Sequence, residues 1–209
     1  MATSEKFWNK VSEKYANSKI SDIPNYERKL AETQKLFTPE MRVLEFGCGT
    51  GSTAIEHAPF VSHIDATDSA ENMIQIARQK AIEAGVENIT FTSTTLKAFA
   101  AADDSIDVVL GLNILHLMAD WQDTLVEVQR ILKPGGAFVS SSACLGDSPM
   151  RLIKLITPLG KLLGLMPDVY VFKKAELAQK ISDSGFEIES QWCHGKLVES
   201  CFIVARKAY

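Results

Sequence analysis

Three observations predict an α/β fold, a doubly wound and largely parallel sheet with helices on both faces: short apolar runs alternate with helical patterns, the first run breaks into closely spaced glycines, and an acid follows about twenty residues later. The first run is Val43-Leu44-Glu45-Phe46, the glycines are Gly47, Gly49 and Gly51, and the acid is Asp68. In such sheets ligands lie at the carboxyl ends of the strands.

The glycine pattern narrows the ligand. Glycines at alternate positions let the chain turn sharply and let a ligand lie against bare backbone, with no steric cost at positive φ. The spacing is G-x-G-x-G, whereas a dinucleotide loop reads G-x-G-x-x-G, its last glycine packing a helix against a strand for a pyrophosphate. Glu45, at the strand end, would repel a pyrophosphate and suit a cation such as a sulfonium or ammonium. The pattern therefore leans toward S-adenosylmethionine, the alternative being a plain strand-to-helix turn. Cys48 and Thr50 fill the loop between the glycines and go with it as binding candidates.

The 209 residues suffice for one well-buried core. A composition of 46% hydrophobic and 23% charged residues is that of an ordinary globular protein. The net charge of -4 argues against dedicated nucleic-acid binding, which needs a basic footprint. Residues 1–6 lack the apolar stretch of a secretion signal, so a cytoplasmic location is expected. Cys48, Cys144, Cys193 and Cys201 form no C-x-x-C pair, so neither a zinc site nor a disulfide framework is expected.

In chain order, Phe7, Trp8, Val11 and Tyr15 recur at helical spacing, and Pro24 opens a second helix whose face carries Tyr26, Leu30 and Phe37 before Thr38-Pro39 ends it. These helices either cap the glycine loop, with Tyr15 against the ligand, or pack on the domain's side. Ser52 to His57 predict a short helix and Val61 to Ala66 a second strand ending near Asp68. Asp68 sits where a carboxylate can accept both ribose hydroxyls, and Asp68 or Ser69 can instead cap the helix from Ala70 to Ala84 that Gly85 closes. Asn88 to Thr92 and Ile106 to Leu110 predict the third and fourth strands. Asp120 caps the next helix, Lys133-Pro134-Gly135-Gly136 stops it, and Ala137 to Ser142 give the fifth strand. Gly185 to Trp192 and Glu199 to Arg206 read as a final pair joined at Gly195.

From about Arg42 to Ser142, with Glu45-x-Gly47-x-Gly49-x-Gly51, Asp68 and Leu-Lys-Pro-Gly-Gly in register, the chain resembles the class I S-adenosylmethionine-dependent methyltransferases. That resemblance implies a Rossmann-like seven-stranded sheet, mostly parallel with one antiparallel strand. It implies one methyltransferase domain over 1–209: a helical cap at 1–40, the cofactor core at 41–145, a lid-like insertion at 146–172, and a helix with a strand pair at 173–209. It also implies that Glu45 and the glycines hold the methionine and ribose parts and Asp68 the ribose hydroxyls, that Ser69 and Met73 flank the adenine, and that Leu112 and Asn113 meet the methionine portion. Many members carry an aspartate near Thr95 for the adenine amine; here only hydroxyls are offered, so Thr95 and the backbone of Leu96 are the candidates.

Methyl transfer from a sulfonium needs alignment and exclusion of water more than a fixed catalytic group. Where the acceptor must lose a proton, His116 is the base candidate, its alternative being a packing role at a helix start. The acceptor's nature falls to the segments outside the core. Met150 to Leu165 places Leu152, Leu155, Ile156, Leu159, Leu162 and Leu163 on one helical face with Arg151, Lys154 and Lys161 elsewhere, although Pro158, Gly160 and Gly164 would break it. Such a segment can admit a small lipophilic acceptor, meet a membrane surface peripherally, cover the core, or join a homodimer. Two other classes stay open at this point, a nicotinamide-dependent oxidoreductase, disfavoured by the glycine spacing, and a cofactor-binding module without catalysis.

Overall fold

The computed structural model describes residues 3–162 and 165–208. Helices α1 (Thr3–Ala16) and α2 (Ile23–Gln34) precede strand β1 (Arg42–Phe46). There follow α3 (Ser52–His57), β2 (His63–Asp68), α4 (Glu71–Ala84), β3 (Ile89–Ser93), α5 (Leu96–Phe99), β4 (Ile106–Leu112), α6 (Trp121–Ile131) and β5 (Leu132–Ala143). The chain continues through α7 (Ile153–Leu162), α8 (Lys174–Asp183), β6 (Phe186–His194) and β7 (Ser200–Lys207).

The strands form one seven-stranded sheet in the order β3-β2-β1-β4-β5-β7-β6. Pairings from β3 across to β5 are parallel, and β7 runs antiparallel to both β5 and β6, so it is the single reversed strand that the resemblance implies. The order reverses between β1 and β4, and a crevice opens at such a point beyond the strand ends. Along β1, Val43 and Leu44 are both wholly buried but belong to different cores. Val43 packs with Ile64, Ile74 and Val108, whereas Leu44 packs with Val109, Leu125 and Phe138. Successive strand side chains point to opposite faces, so a run apolar at every position must be covered twice. Burial of each large side chain contributes about 1.5 to 3 kcal/mol.

Several boundaries differ from those expected. Helix α2 starts as predicted, with Pro24 in its first turn and Asp22 accepting from Asn25 N–H, but ends at Gln34. Lys133 to Gly136 fall inside β5, because Leu132 already pairs with Ile106 before the register shifts and resumes at Val108 with Ala137. Helix α7 runs through Pro158 and Gly160, where a break was expected. Leu163 and Gly164 of that expectation lie outside the described residues. The apolar face of this segment does not cover the core: Leu152, Leu155, Ile156 and Leu159 are 58 to 69% exposed.

The cysteines require a correction. Cys193 and Cys201 form a disulfide, which spacing alone did not reveal because β6 and β7 set the two residues directly opposite each other, with Cα atoms 4.1 Å apart. Cys48 and Cys144 are buried free thiols. No helix among the described residues is long and apolar enough to cross a membrane.

Candidate active site

Strand β1 delivers its last residues at the reversal point, and the chain then turns through Gly47, whose φ is 66°. A Cβ there would lie 2.5 Å from Ile114 Cγ1, so only glycine lets the loop press against the segment after β4. The loop is stitched to β2 by two hydrogen bonds: Cys48 N–H donates to Thr67 O at 2.9 Å, and Gly49 N–H donates to Asp68 Oδ2 at 3.0 Å. Asp68 Oδ1 accepts from Ala70 N–H at 2.9 Å. One carboxylate therefore ties the glycine loop to the start of α4, with lone pairs left over for a ligand.

The loop borders a cavity of about 360 Å³ that Glu45, Gly47, Cys48 and Gly49 line from one side. Asp68, Ser69 and Met73 line it from β2 and α4, Thr95 and Leu96 from beyond β3, and Leu112 and Asn113 from the end of β4. Tyr15 reaches over it from α1, its ring 3.7 Å from the position of a Cβ on Gly49. The structure thus gathers most of the residues read from the sequence around one space of ligand size.

Three are not among those lining it. Gly51 serves packing, since a Cβ would stand 2.8 Å from Ala77 Cβ and from the Phe91 ring, and it seats α3 against α4. Thr50 is buried and accepts from Lys80 Nζ at 3.0 Å. His116 sits in the turn after β4 with Nδ1 buried and without a hydrogen-bond partner among the described residues, while Ile114, Leu117 and Met118 line the cavity. Burial pulls the His116 imidazole down to about 4, so it is uncharged at neutral pH.

Other lining residues escaped the sequence. Trp8 joins Tyr15 in an edge-to-face contact at 5.9 Å, a pairing that their shared helix face already contained. Asp120 stands at the N-cap position of α6 without the expected side-chain cap bond and lines the cavity instead. Asp168 reaches the cavity from the insertion, and no local pattern announced it. Conversely, the Thr95 hydroxyl oxygen accepts from Ala98 N–H at 3.2 Å as the cap of α5, so one of its two lone pairs is already engaged.

Burial shifts the acids of this cavity toward their uncharged forms. Burial, reinforced by the neighbouring Asp68 charge, pushes the Glu45 carboxyl up to about 8. Its Oε2 is buried with no hydrogen-bond partner among the described residues. Asp68 is also raised by burial, against the lowering effect of the Ala70 and Gly49 N–H groups. The Tyr15 phenol is raised by burial and then by Asp68 and Glu45. The Cys48 thiol is held well above its ordinary value, chiefly by burial, which keeps it out of thiolate chemistry.

With that geometry in hand, residues 37–206 match the family model described as a methyltransferase domain. Uncharacterized methyltransferase YcgJ of Bacillus subtilis (strain 168) is 35% identical over 100 residues, 48% of this chain and 40% of that protein. The ubiquinone biosynthesis O-methyltransferase of Roseobacter denitrificans is 35% identical over 102 residues, 49% of this chain and 41% of that protein. The chain thus spans well under two thirds of the curated relatives it matches. Among solved structures, the Bacillus YcgJ protein superposes with a TM-score of 0.72 at 20% identity, covering 88% of this chain and 99% of the other. The geranyl diphosphate C-methyltransferase of Streptomyces coelicolor A3(2), solved with Mg2+, geranyl diphosphate and S-adenosyl-L-homocysteine, superposes with a TM-score of 0.72 at 12% identity over 88% of this chain and 79% of the other. At such identities these likenesses speak to the fold alone. The match over 37–206 carries the family itself, and the chain belongs to the class I S-adenosylmethionine-dependent methyltransferases.

Proposed function

We propose that this chain binds S-adenosylmethionine in the 360 Å³ cavity and transfers its methyl group to a small, lipophilic acceptor. The observation that carries the reading is Glu45, a fully buried carboxyl whose Oε2 has no partner among the described residues, set beside a glycine loop that a carboxylate holds in place. An orphaned buried acceptor is rare and costs stability unless a ligand supplies the donor. An ammonium group of the cofactor would do so, and the bare Gly49 backbone leaves room for it to approach.

When bound, the cofactor supplies an electrophilic methyl on a sulfonium whose sulfur departs neutral. The chain's residues have to bind and aim it. Asp68, already fixed by two backbone N–H groups, offers its remaining lone pairs to the ribose hydroxyls. Met73 and Ser69 stand on the adenine side, and Leu112 and Asn113 on the methionine side. Trp8 and Tyr15 line the cavity from α1, where their rings would help to shield the methyl from water. We place no proton transfer on His116, which does not line the cavity; Gln in its place should leave the pH profile of turnover unchanged.

Support for a lipophilic acceptor comes from relatives named for ubiquinone biosynthesis. The exposed leucines of 150–165, beside Arg151 and Lys154, fit contact with a membrane surface where such an acceptor partitions. Calorimetry with S-adenosylhomocysteine tests the cradle. Asp68→Ala should bind about ten- to a hundredfold more weakly, since a hydrogen bond to a charged group contributes about 1.5 to 3 kcal/mol; equal binding would refute the assignment. Label from a methyl-labelled cofactor appearing in cell-extract fractions separates an enzyme from a binding module.

A further inference from the structure

A second cavity, of about 230 Å³, lies between α2 and the ends of the central strands, and it shares Thr53, Leu112 and Asn113 with the first. Its apolar wall is Ile20, Leu30 and Leu112, and Lys29 projects from α2 into it. The Lys29 ammonium donates to Ser141 Oγ at 2.9 Å, and Ser141 Oγ in turn donates to Asn113 Oδ1 at 3.2 Å. Lys29 has no ion-pair partner among the described residues. The carboxylate on this wall, Asp22, is engaged elsewhere: it accepts from the Asn25 side chain at 2.8 Å and stands 3.5 Å from His194 Nδ1.

Further unpaired nitrogens surround the same space. His57 is wholly buried, and neither of its ring nitrogens has a hydrogen-bond partner among the described residues. Nε2 of His194 is likewise buried and unpartnered. A buried ammonium is costly unless an anion accompanies it, and a neutral imidazole carries one N–H, which at His57 asks for an acceptor. Burial draws the Lys29 ammonium below its ordinary value, against the raising effect of the Asp22 charge.

We propose that this second cavity is the acceptor's subsite, and that it takes a molecule with an apolar body and one ionised oxygen acid, a carboxylate or a phenolate, which Lys29 holds. The proposal rests on the reading of the first cavity as the cofactor's. Asn113 then joins the two sites, facing the cofactor on one side and linked through Ser141 to the ammonium on the other. The sequence alone left the acceptor's charge open, because Lys29 reads as one more solvated residue on an amphipathic helix.

The test titrates protein saturated with S-adenosylhomocysteine with benzoate, phenylacetate and 4-hydroxybenzoate, each against its uncharged amide, by calorimetry. At least one acid should bind about tenfold or more tighter than its amide. Lys29→Met should erase that preference and keep cofactor affinity within about twofold, while Lys29→Arg should retain most of it. Lys29→Gln replaces the Met variant if a thermal melt shows that the latter does not fold. Equal binding of acid and amide, binding of neither, or an intact preference in the Met variant overturns the proposal. A Met variant that loses affinity for S-adenosylhomocysteine would move Lys29 to the cofactor and refute the subsite while sparing the cradle. Failure of the unsubstituted protein to bind S-adenosylhomocysteine would instead refute the cradle, and the subsite with it.

Discussion

The glycine cradle and the 150–165 segment are both built from apolar residues, yet they use them in opposite ways. Around the cradle, Val43, Leu44 and Phe46 are at most 2% exposed, and the loop's turns are hydrogen-bonded to β2. In the other segment Leu155 and Leu159 are 69% and 62% exposed, and among the described side chains the buried one is Thr157, whose hydroxyl donates to the carbonyl of Ile153. The glycine cradle is therefore an outgrowth of the core, so a change there alters the fold together with whatever the cradle holds. The 150–165 segment is laid over the core and can change without disturbing it.

The largest expected effect separates two glycines of the same loop. Both have positive φ, 66° at Gly47 and 54° at Gly49, so alanine at either meets backbone strain of order 1 to 3 kcal/mol. At Gly47 the new Cβ also collides with Ile114, adding about 1 to 3 kcal/mol of overpacking. At Gly49 its nearest neighbour would be the Tyr15 ring at 3.7 Å, an ordinary contact. Gly47→Ala should therefore lower unfolding free energy by about 2 to 6 kcal/mol, and Gly49→Ala by about half as much. Urea unfolding measures both. Equal losses would mean that close packing on Ile114 does not fix the cradle.

The same contrast governs what could be read in advance. Strand β1, the glycines and Asp68 were legible because local rules suffice there: apolar continuity means burial on both faces, and alternate glycines mean a sharp turn. The seven-stranded sheet with its one reversed strand followed from the family resemblance rather than from pairing rules. Reading failed where the deciding partner is distant in sequence. Gly51 resembles its sister glycines until α4 and β3 arrive with Ala77 and Phe91. Asp120 has the look of a cap, and Cys193 and Cys201 look unrelated until β6 and β7 pair. Helix α7 continues through Pro158, where helix propensity alone argued for a break.

A second prediction uses pH to tell the cradle from the rest of the core. Glu45 is held near 8 in the folded protein and titrates near 4.5 when unfolded, so the proton it keeps stabilises the empty protein at low pH. That contribution is lost as pH rises from about 4.5 through 8. Buried His57 and His116 have the opposite sign: both lowered to about 4 from 6.5, they support the fold above 6.5 and outweigh Glu45 below it, a contribution lost as pH falls toward 4. Stability of the ligand-free protein should therefore peak near pH 6.5 and decline toward 8. Glu45→Gln should flatten the decline above the peak and leave the acid limb. Because a cation favours the ionised carboxylate, cofactor binding should release a proton below pH 8. Calorimetry in buffers of different ionisation enthalpy counts that proton; binding with none released would remove Glu45 from the contact.

The smallest expected change in stability lies at the exposed leucines. Leu155→Glu with Leu159→Glu replaces two side chains that contribute little to the core, so unfolding free energy should shift by no more than about 0.5 kcal/mol per site. Affinity for S-adenosylhomocysteine should be unchanged, since neither residue lines the cofactor cavity. Co-sedimentation with vesicles containing phosphatidylglycerol should nevertheless fall, because membrane binding of a basic amphipathic segment scales with the apolar area it inserts. Charge supplies the second half of that attraction, so Arg151→Glu with Lys154→Glu should weaken sedimentation most at low salt. If the double leucine variant instead melts far below the unsubstituted protein, the segment is core after all. Two regions that now differ in kind would then differ only in degree.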